Sequence, residues 1–174
     1  MKPPAIQPTQ TERTFREDEI IVSKTDERGV ITYANKTFLQ IALYSEAEVL
    51  GQPHSLIRHP DMPRCVFKLL WDTIQAGDEI FAYVKNMAKN GDFYWVFAHV
   101  TPTFNDRQEI TGYHSNRRKP DTRQIRTVDA LYKKLKQEED SHSDWKQGIA
   151  AATEIVLQAA AAKHMQYDEF VFSI

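Results

Sequence analysis

Apolar positions change their period twice along the chain. The segments 19–25 and 30–34 are short, rich in β-branched residues and separated by the turn Asp26-Glu-Arg-Gly29, so they predict two strands. Helical spacing follows. Asn35 suits the N-cap of a short helix carrying Phe38, Ile41 and Ala42, and Ser45 with Glu48 is a capping-box pair for one more turn, ended at Gly51. After a proline-rich stretch over 53–63, the apolar residues Phe67, Leu70, Trp71 and Ile74 predict a helix over 64–75, closed by Gly77.

From residue 80 the pattern becomes that of strands. The runs 80–86, 93–103 and 109–117 predict three of them, with Lys89-Asn-Gly-Asp92 as a hairpin turn and Asn105-Asp106 as a second. The middle run is apolar on both faces, with Tyr94, Val96 and Ala98 on one side and Trp95 and Phe97 on the other. An antiparallel strand of that kind has its outer side covered, here by residues 11–19, by the C-terminal segment or by a partner subunit. Past Pro120, Val128, Leu131, Tyr132 and Leu135 mark a helix, 138–144 is a polar break, and 145–164 is an alanine-rich helix. The order predicts an α+β fold: a five-stranded antiparallel sheet, short helices enclosing a pocket on one face, and a C-terminal helical tail. Prolines at 3, 4 and 8 predict a flexible lead-in. The expected boundaries are 1–16, 17–119 and 120–174.

Composition narrows the function classes. Lys and Arg total 22 against 24 Asp and Glu, a net charge of -2, so no global field draws the chain to nucleic acid. A single cysteine, Cys65, excludes a disulfide framework and fits a reducing compartment. The opening residues lack the apolar core of a signal peptide, and the low-charge run 148–162 is too short for a membrane span. The expectation is a cytoplasmic protein.

The motifs are more specific. Ile31-Thr-Tyr-Ala-Asn-Lys-Thr-Phe38, Tyr44-Ser-x-x-Glu-Val-Leu-Gly-Gln-Pro-His54 and Asn90-Gly-x-x-Tyr-Trp-Val96 with Gly112-Tyr113 resemble a PAS domain. Within that family, Pro53-His-Ser-Leu-Ile-Arg-His-Pro-Asp-Met-Pro63 is similar to the FAD-binding PAS domain of bacterial aerotaxis receptors. The resemblance covers about 17–136 and implies a PAS sheet around FAD, with redox or oxygen-linked signalling and no substrate turnover. Aerotaxis receptors continue into a membrane anchor and a signalling coiled coil, and the expectation for this chain, read to Ile174, is neither. The expected output is therefore a separate signalling protein, a chemotaxis or other transducer, or self-association.

Each candidate residue has a chemical reason. Asp61 suits the cap of the following helix, which would stand Arg58 and His59 at its N-terminus, facing an anion or the carbonyl edge of a ring. By the resemblance, His54 occupies the position of the adduct-forming cysteine of photosensory relatives, where imidazole cannot form the thioether. Trp71 replaces their phosphate-binding arginine, which favours FAD over FMN. Asn86 can bond a ring's pyrimidine edge against a wall that includes Tyr94 and Val96, and Arg117, near Tyr113 and Ser115, can stabilise an anionic reduced flavin. The resemblance adds Asn35 to the cofactor set. His54, His59, His99 and His114 keep a haem sensor open as an alternative, and a cofactor-free interaction module is another. No Ser/His/Asp grouping or Gly-rich phosphate loop points to an enzyme. In the tail, the stripe Trp145, Ile149, Ala152, Ile155, Val156, Ala159 and Ala162, with apolar Phe170 to Ile174, predicts packing on Trp95 and Phe97 or a homodimer.

Overall fold

The computed structural model describes residues 6–174. Its sheet contains β1 (Ile21–Thr25), β2 (Ile31–Ala34), β3 (Ile80–Met87), β4 (Phe93–Phe104) and β5 (Ile110–Arg118) in the order β2-β1-β5-β4-β3, all neighbours antiparallel. The predicted strands match these to within two residues. The helices before the third strand are α1 (Lys36–Ala42), α2 (Glu46–Val49), a 3₁₀ turn (His54–Ile57) and α3 (Arg64–Gln75), the last spanning the range its apolar spacing predicts. Beyond the sheet come α4 (Thr122–Ser141), α5 (Trp145–Ala161) and α6 (Tyr167–Phe172).

Register decides which side chains share a face. Ser115 lies opposite Ser23 and Val100, Arg117 opposite Ile21 and Ala98, and Asn86 opposite Tyr94. Directly opposed residues of an antiparallel ladder point the same way, so these groups all face the side that α1 to α3 cover. Phe38, Ile41, Val49 and Ile57 fill that layer as buried residues.

The other face is covered by the chain's own tail. The Tyr132 hydroxyl of α4 donates to the Tyr83 carbonyl at 2.7 Å, and its ring lies 6.1 Å from that of Trp95. Phe172 of α6 packs on Phe81 and Phe97 at ring separations of 4.6 and 5.5 Å. The terminal apolar run forms a short helix with Phe170 and Val171 buried, in keeping with the expected packing of the tail on the outer sheet face. Ile149, Ala152 and Val156 of the α5 stripe are buried within the chain, whereas Trp145 is exposed. Intramolecular burial therefore uses part of the stripe on which the homodimer expectation rested, leaving Ala162 exposed as well.

Part of the lead-in is held against the sheet. Residues 1–5 of that segment lie outside the described residues, but 9–15 are held rather than loose. The Thr9 N–H donates to the Gly91 carbonyl at 2.8 Å, the Phe93 N–H to that of Thr11 at 3.0 Å, and the Arg13 N–H to that of Phe93 at 2.7 Å. β4 begins before β5 can pair with it, since the first β4–β5 partners are Phe97 and Arg118. The lead-in occupies that unpaired edge, where open backbone groups would otherwise need water. Gly91, at a φ of +92°, is required in the hairpin, because a Cβ there would stand 2.1 Å from the Gln7 carbonyl oxygen.

Candidate functional site

A cavity of about 340 Å³ lies between the inner sheet face and α3. Its floor alternates small apolar and polar groups: Val84, Ala98 and Val100 form a flat wall, and Asn86, Ser115 and Arg117 stand among them. The roof is the apolar face of α3, with Phe67, Leu70, Trp71 and Ile74, together with His54 and Ser55 from the 3₁₀ turn. Trp71 stands edge-on to Tyr113, with ring centroids 5.5 Å apart. Its indole passes so close to Gly29, whose φ is +79°, that a Cβ there would come within 2.8 Å. Arg28 and Arg58 line the mouth.

The polar groups share an unusual feature. Asn86 Nδ2, Ser115 Oγ and Arg117 Nη1 are buried and lack a hydrogen-bond partner among the described residues. An unpaired buried polar group costs about 1–3 kcal/mol, so the three at the cavity are free to donate to an occupant, whereas the His59 Nε2 and the Tyr94 hydroxyl, equally without a partner among the described residues, stand outside its lining.

Arg117 sets the electrostatics. It is 4% exposed, and its Nη2 donates to Ser23 Oγ at 2.8 Å and to His54 Nε2 at 2.7 Å. Both partners are neutral. A guanidinium only donates, so His54 Nε2 carries the lone pair and the proton sits on Nδ1. Burial, and then the charge of Arg117, pushes the His54 pKa down to about 3, and burial lowers that of Arg117 to about 10. Arg58 stacks its guanidinium 3.7 Å above the Phe67 ring, while its backbone bridges to that of Asn86.

Of the ten predicted site residues, His54, Arg58, Trp71, Asn86 and Arg117 line the cavity. The other five do not line it. Asn35 is structural: its Oδ1 accepts from the N–H groups of Phe38 and Val22, each at 3.0 Å, and its Nδ2 donates to the Ile20 carbonyl at 2.8 Å. We expect Asn35→Ala to cost about 1–2 kcal/mol of stability by chemical denaturation and to leave ligand affinity of the folded protein unchanged. A variant that folds normally but loses ligand would return Asn35 to the binding set. Tyr94 and Val96 have the predicted inward direction but are wholly buried beneath the helices. His59 is buried against Phe93, with Nδ1 accepting from the Asp61 N–H at 3.1 Å.

Asp61 does not cap α3. It is exposed and pairs with Lys85 at 2.8 Å, while the helix starts after Pro63 with no cap from its own loop. Glu139 of α4 fills that role. Sequence reading also passed over Ser23, Thr25 and Arg28, which reach the cavity only through the β1–β5 register and the turn beside Gly29. Cys65 lies buried, its thiol pushed up to about 12 by burial and the nearby Glu139 carboxylate, so it is inert as a nucleophile. Among the described residues, no group of three or more His, Cys, Asp or Glu is placed to hold a metal ion.

Comparison with known proteins gives the geometry its context. Residues 31–117 match the family described as the PAS fold. The chain is 41% identical over 127 residues to the aerotaxis receptor of Escherichia coli, covering 73% of this chain and 25% of that protein. It is 32% identical over 94 residues to the nitrogen fixation regulatory protein of Klebsiella pneumoniae, covering 54% and 19% respectively. It thus spans a quarter or less of the length of these relatives. A light-oxygen-voltage domain solved in work on a flavin analogue superposes with a TM-score of 0.56 at 19% identity, over 71% of this chain and 87% of that one.

Proposed function

This chain belongs to the PAS family, and on that premise we propose that it is a redox or oxygen sensor of the energy-taxis kind, holding FAD in the cavity and signalling by conformational change to a separate protein. The observation that carries the reading is the set of three unpartnered buried donors at Asn86, Ser115 and Arg117 beside the wall of Val84, Ala98 and Val100. An isoalloxazine ring fits this chemistry: it is flat, and one edge offers carbonyl oxygens and ring nitrogens as acceptors. Asn86 and Ser115 would hold that edge. Trp71 would cover the ring system, and Arg58 with Arg28 would meet the phosphates at the mouth. On this reading His59, Tyr94 and Val96 act through packing, Asn35 through its cap on α1 and Asp61 through its pair with Lys85, rather than by contact.

Bound FAD supplies reversible electron exchange. The chain's own contribution is electrostatic. Arg117 is a buried cation whose side chain bonds only neutral groups, so it favours whatever negative charge arises on the ring. The family relationship supports a sensor over an enzyme.

A haem sensor needs an imidazole free to ligate. His54 is the sole histidine lining the cavity, and its Nε2 is taken by Arg117 and Ser23. His99 pairs with Glu79 on the opposite sheet face. Flavin is therefore favoured.

We assign residues 17–119 to the sensor and 120–174 to output. The aerotaxis relationship supports a signalling partner, and we place the protein in the cytoplasm; among the described residues no helix is long and apolar enough to cross a membrane. The burial of Ile149, Ala152 and Val156 within the chain favours a separate partner over a homodimer.

Purified protein should show flavin absorbance, and denaturation should release FAD identifiable by chromatography. Haem, or FMN alone, overturns the proposal. A colourless protein that takes up no added flavin leaves the cofactor-free module.

A further inference from the structure

The N-terminus of α3 is completed from another element. The first N–H groups of any helix lack intrahelical partners, and Pro63 at the cap position has no side chain to offer them. Glu139, from the last turn of α4, takes both: Oε2 accepts from the Arg64 N–H at 3.0 Å and Oε1 from the Cys65 N–H at 2.7 Å. The residue is 6% exposed, and a carboxylate there also meets the positive end of the helix dipole. α5 crosses at the same point. Gly148 sits so close that a Cβ would stand 2.5 Å from the Glu139 carbonyl oxygen. Three helices thus meet at Glu139, and one of them, α3, carries Phe67, Leu70, Trp71 and Ile74 into the cavity.

We infer that Glu139 is the positioning residue that couples the state of the cavity to the C-terminal helices. α3 is 12 residues long and moves as one body, so a displacement forced on Trp71 from the cavity reaches the pair of N–H groups that Glu139 grips. Through that grip it passes to α4, and through the close Gly148 contact to α5. Coupling is reciprocal, so tail helices held in place also favour the α3 position that binds. The inference rests on the proposed function for the identity of the ligand, not for the coupling itself.

The test is hydrogen–deuterium exchange, read peptide by peptide, in flavin-loaded and flavin-stripped full-length protein. Stripping flavin should raise exchange about tenfold both in α3 and over 135–156. With Glu139→Gln, which keeps the size but loses one acceptor, the α3 response should persist and the 135–156 response should fall below about threefold. Gly148→Ala, whose Cβ would meet the Glu139 backbone, should lower the α5 response. Glu139→Asp, which keeps the charge with a shorter reach, should lower the 135–156 response as Glu139→Gln does and decides the matter if Glu139→Gln does not fold. Should the protein bind no flavin, the proposed function falls while the coupling remains testable. Trp71→Ala then supplies the cavity-side disturbance, compared with and without Glu139→Gln. Exchange over 135–156 that ignores both disturbances, or that responds fully despite Glu139→Gln, overturns the inference.

Discussion

Replacing Arg117 with methionine is expected to weaken flavin binding about ten- to a hundredfold while leaving the thermal midpoint of the stripped protein unchanged or raised. The two effects separate because the guanidinium is held in a place that folding alone does not favour. It is 4% exposed and its side-chain bonds reach only Ser23 and His54, both neutral. A charge taken out of water without a counter-charge is destabilising, and an apolar side chain of similar volume relieves that. His54 Nε2 would lose one donor, but the Ser23 hydroxyl, 3.1 Å away, can take its place. Asn86→Ala should weaken binding about tenfold, with less gain in stability because it removes no charge. Flavin titration followed by fluorescence, beside thermal melts of the stripped proteins, reads both quantities. Full flavin affinity in Arg117→Met, or a loss of stability larger than the loss of binding, would remove Arg117 from the site.

Acid should weaken the fold through the same cluster. The His54 pKa lies at about 3 in the folded protein against an ordinary 6.5, so between those values the unfolded chain holds the extra proton. Stability from this group is complete above about pH 6.5 and is lost as pH falls toward 3, at about 1.4 kcal/mol per pH unit for one proton. His59 and His114 shift in the same direction, chiefly through burial, and add to the slope. Glu48, held at about 2 by Lys89, adds a loss confined to pH below its ordinary 4.5. His54→Gln cannot take the proton yet still offers Arg117 an acceptor. Urea denaturation across pH 7.5 to 4 should show its slope reduced by about one proton relative to the parent. Equal slopes would mean that His54 is protonated, or exposed, in the folded state.

Much of this was readable along the chain. Phe67, Leu70, Trp71 and Ile74 recur at the helical period, and they both delimit α3 and form the roof of the cavity. The inward direction of Asn86 followed from strand alternation, because the side-chain period of two leaves one choice of face once any neighbour is known to be buried. The placement of Arg117 in the site came from the family pattern and was matched by the register of β5.

Other residues carried no local sign of their role. Glu139 stands in Gln137-Glu-Glu-Asp140, which reads as a solvated stretch, and it is buried only because α4 crosses the N-terminus of α3. Asp61 lies close in sequence to that N-terminus and has the chemistry of a cap, yet Lys85 holds it elsewhere. Ser23 and Thr25 look like ordinary strand positions until β1 lies beside β5.

The sequence by itself determined the elements, their period and their inward faces, because these depend on contacts a few residues apart. Which of two chemically suitable carboxylates caps α3, which edge holds the lead-in, and whether the tail covers its own sheet or a second copy were decided by the tertiary structure alone. Those outcomes turn on groups many residues apart competing for the same buried donors and the same apolar surface, and that competition is settled only when the layers come together.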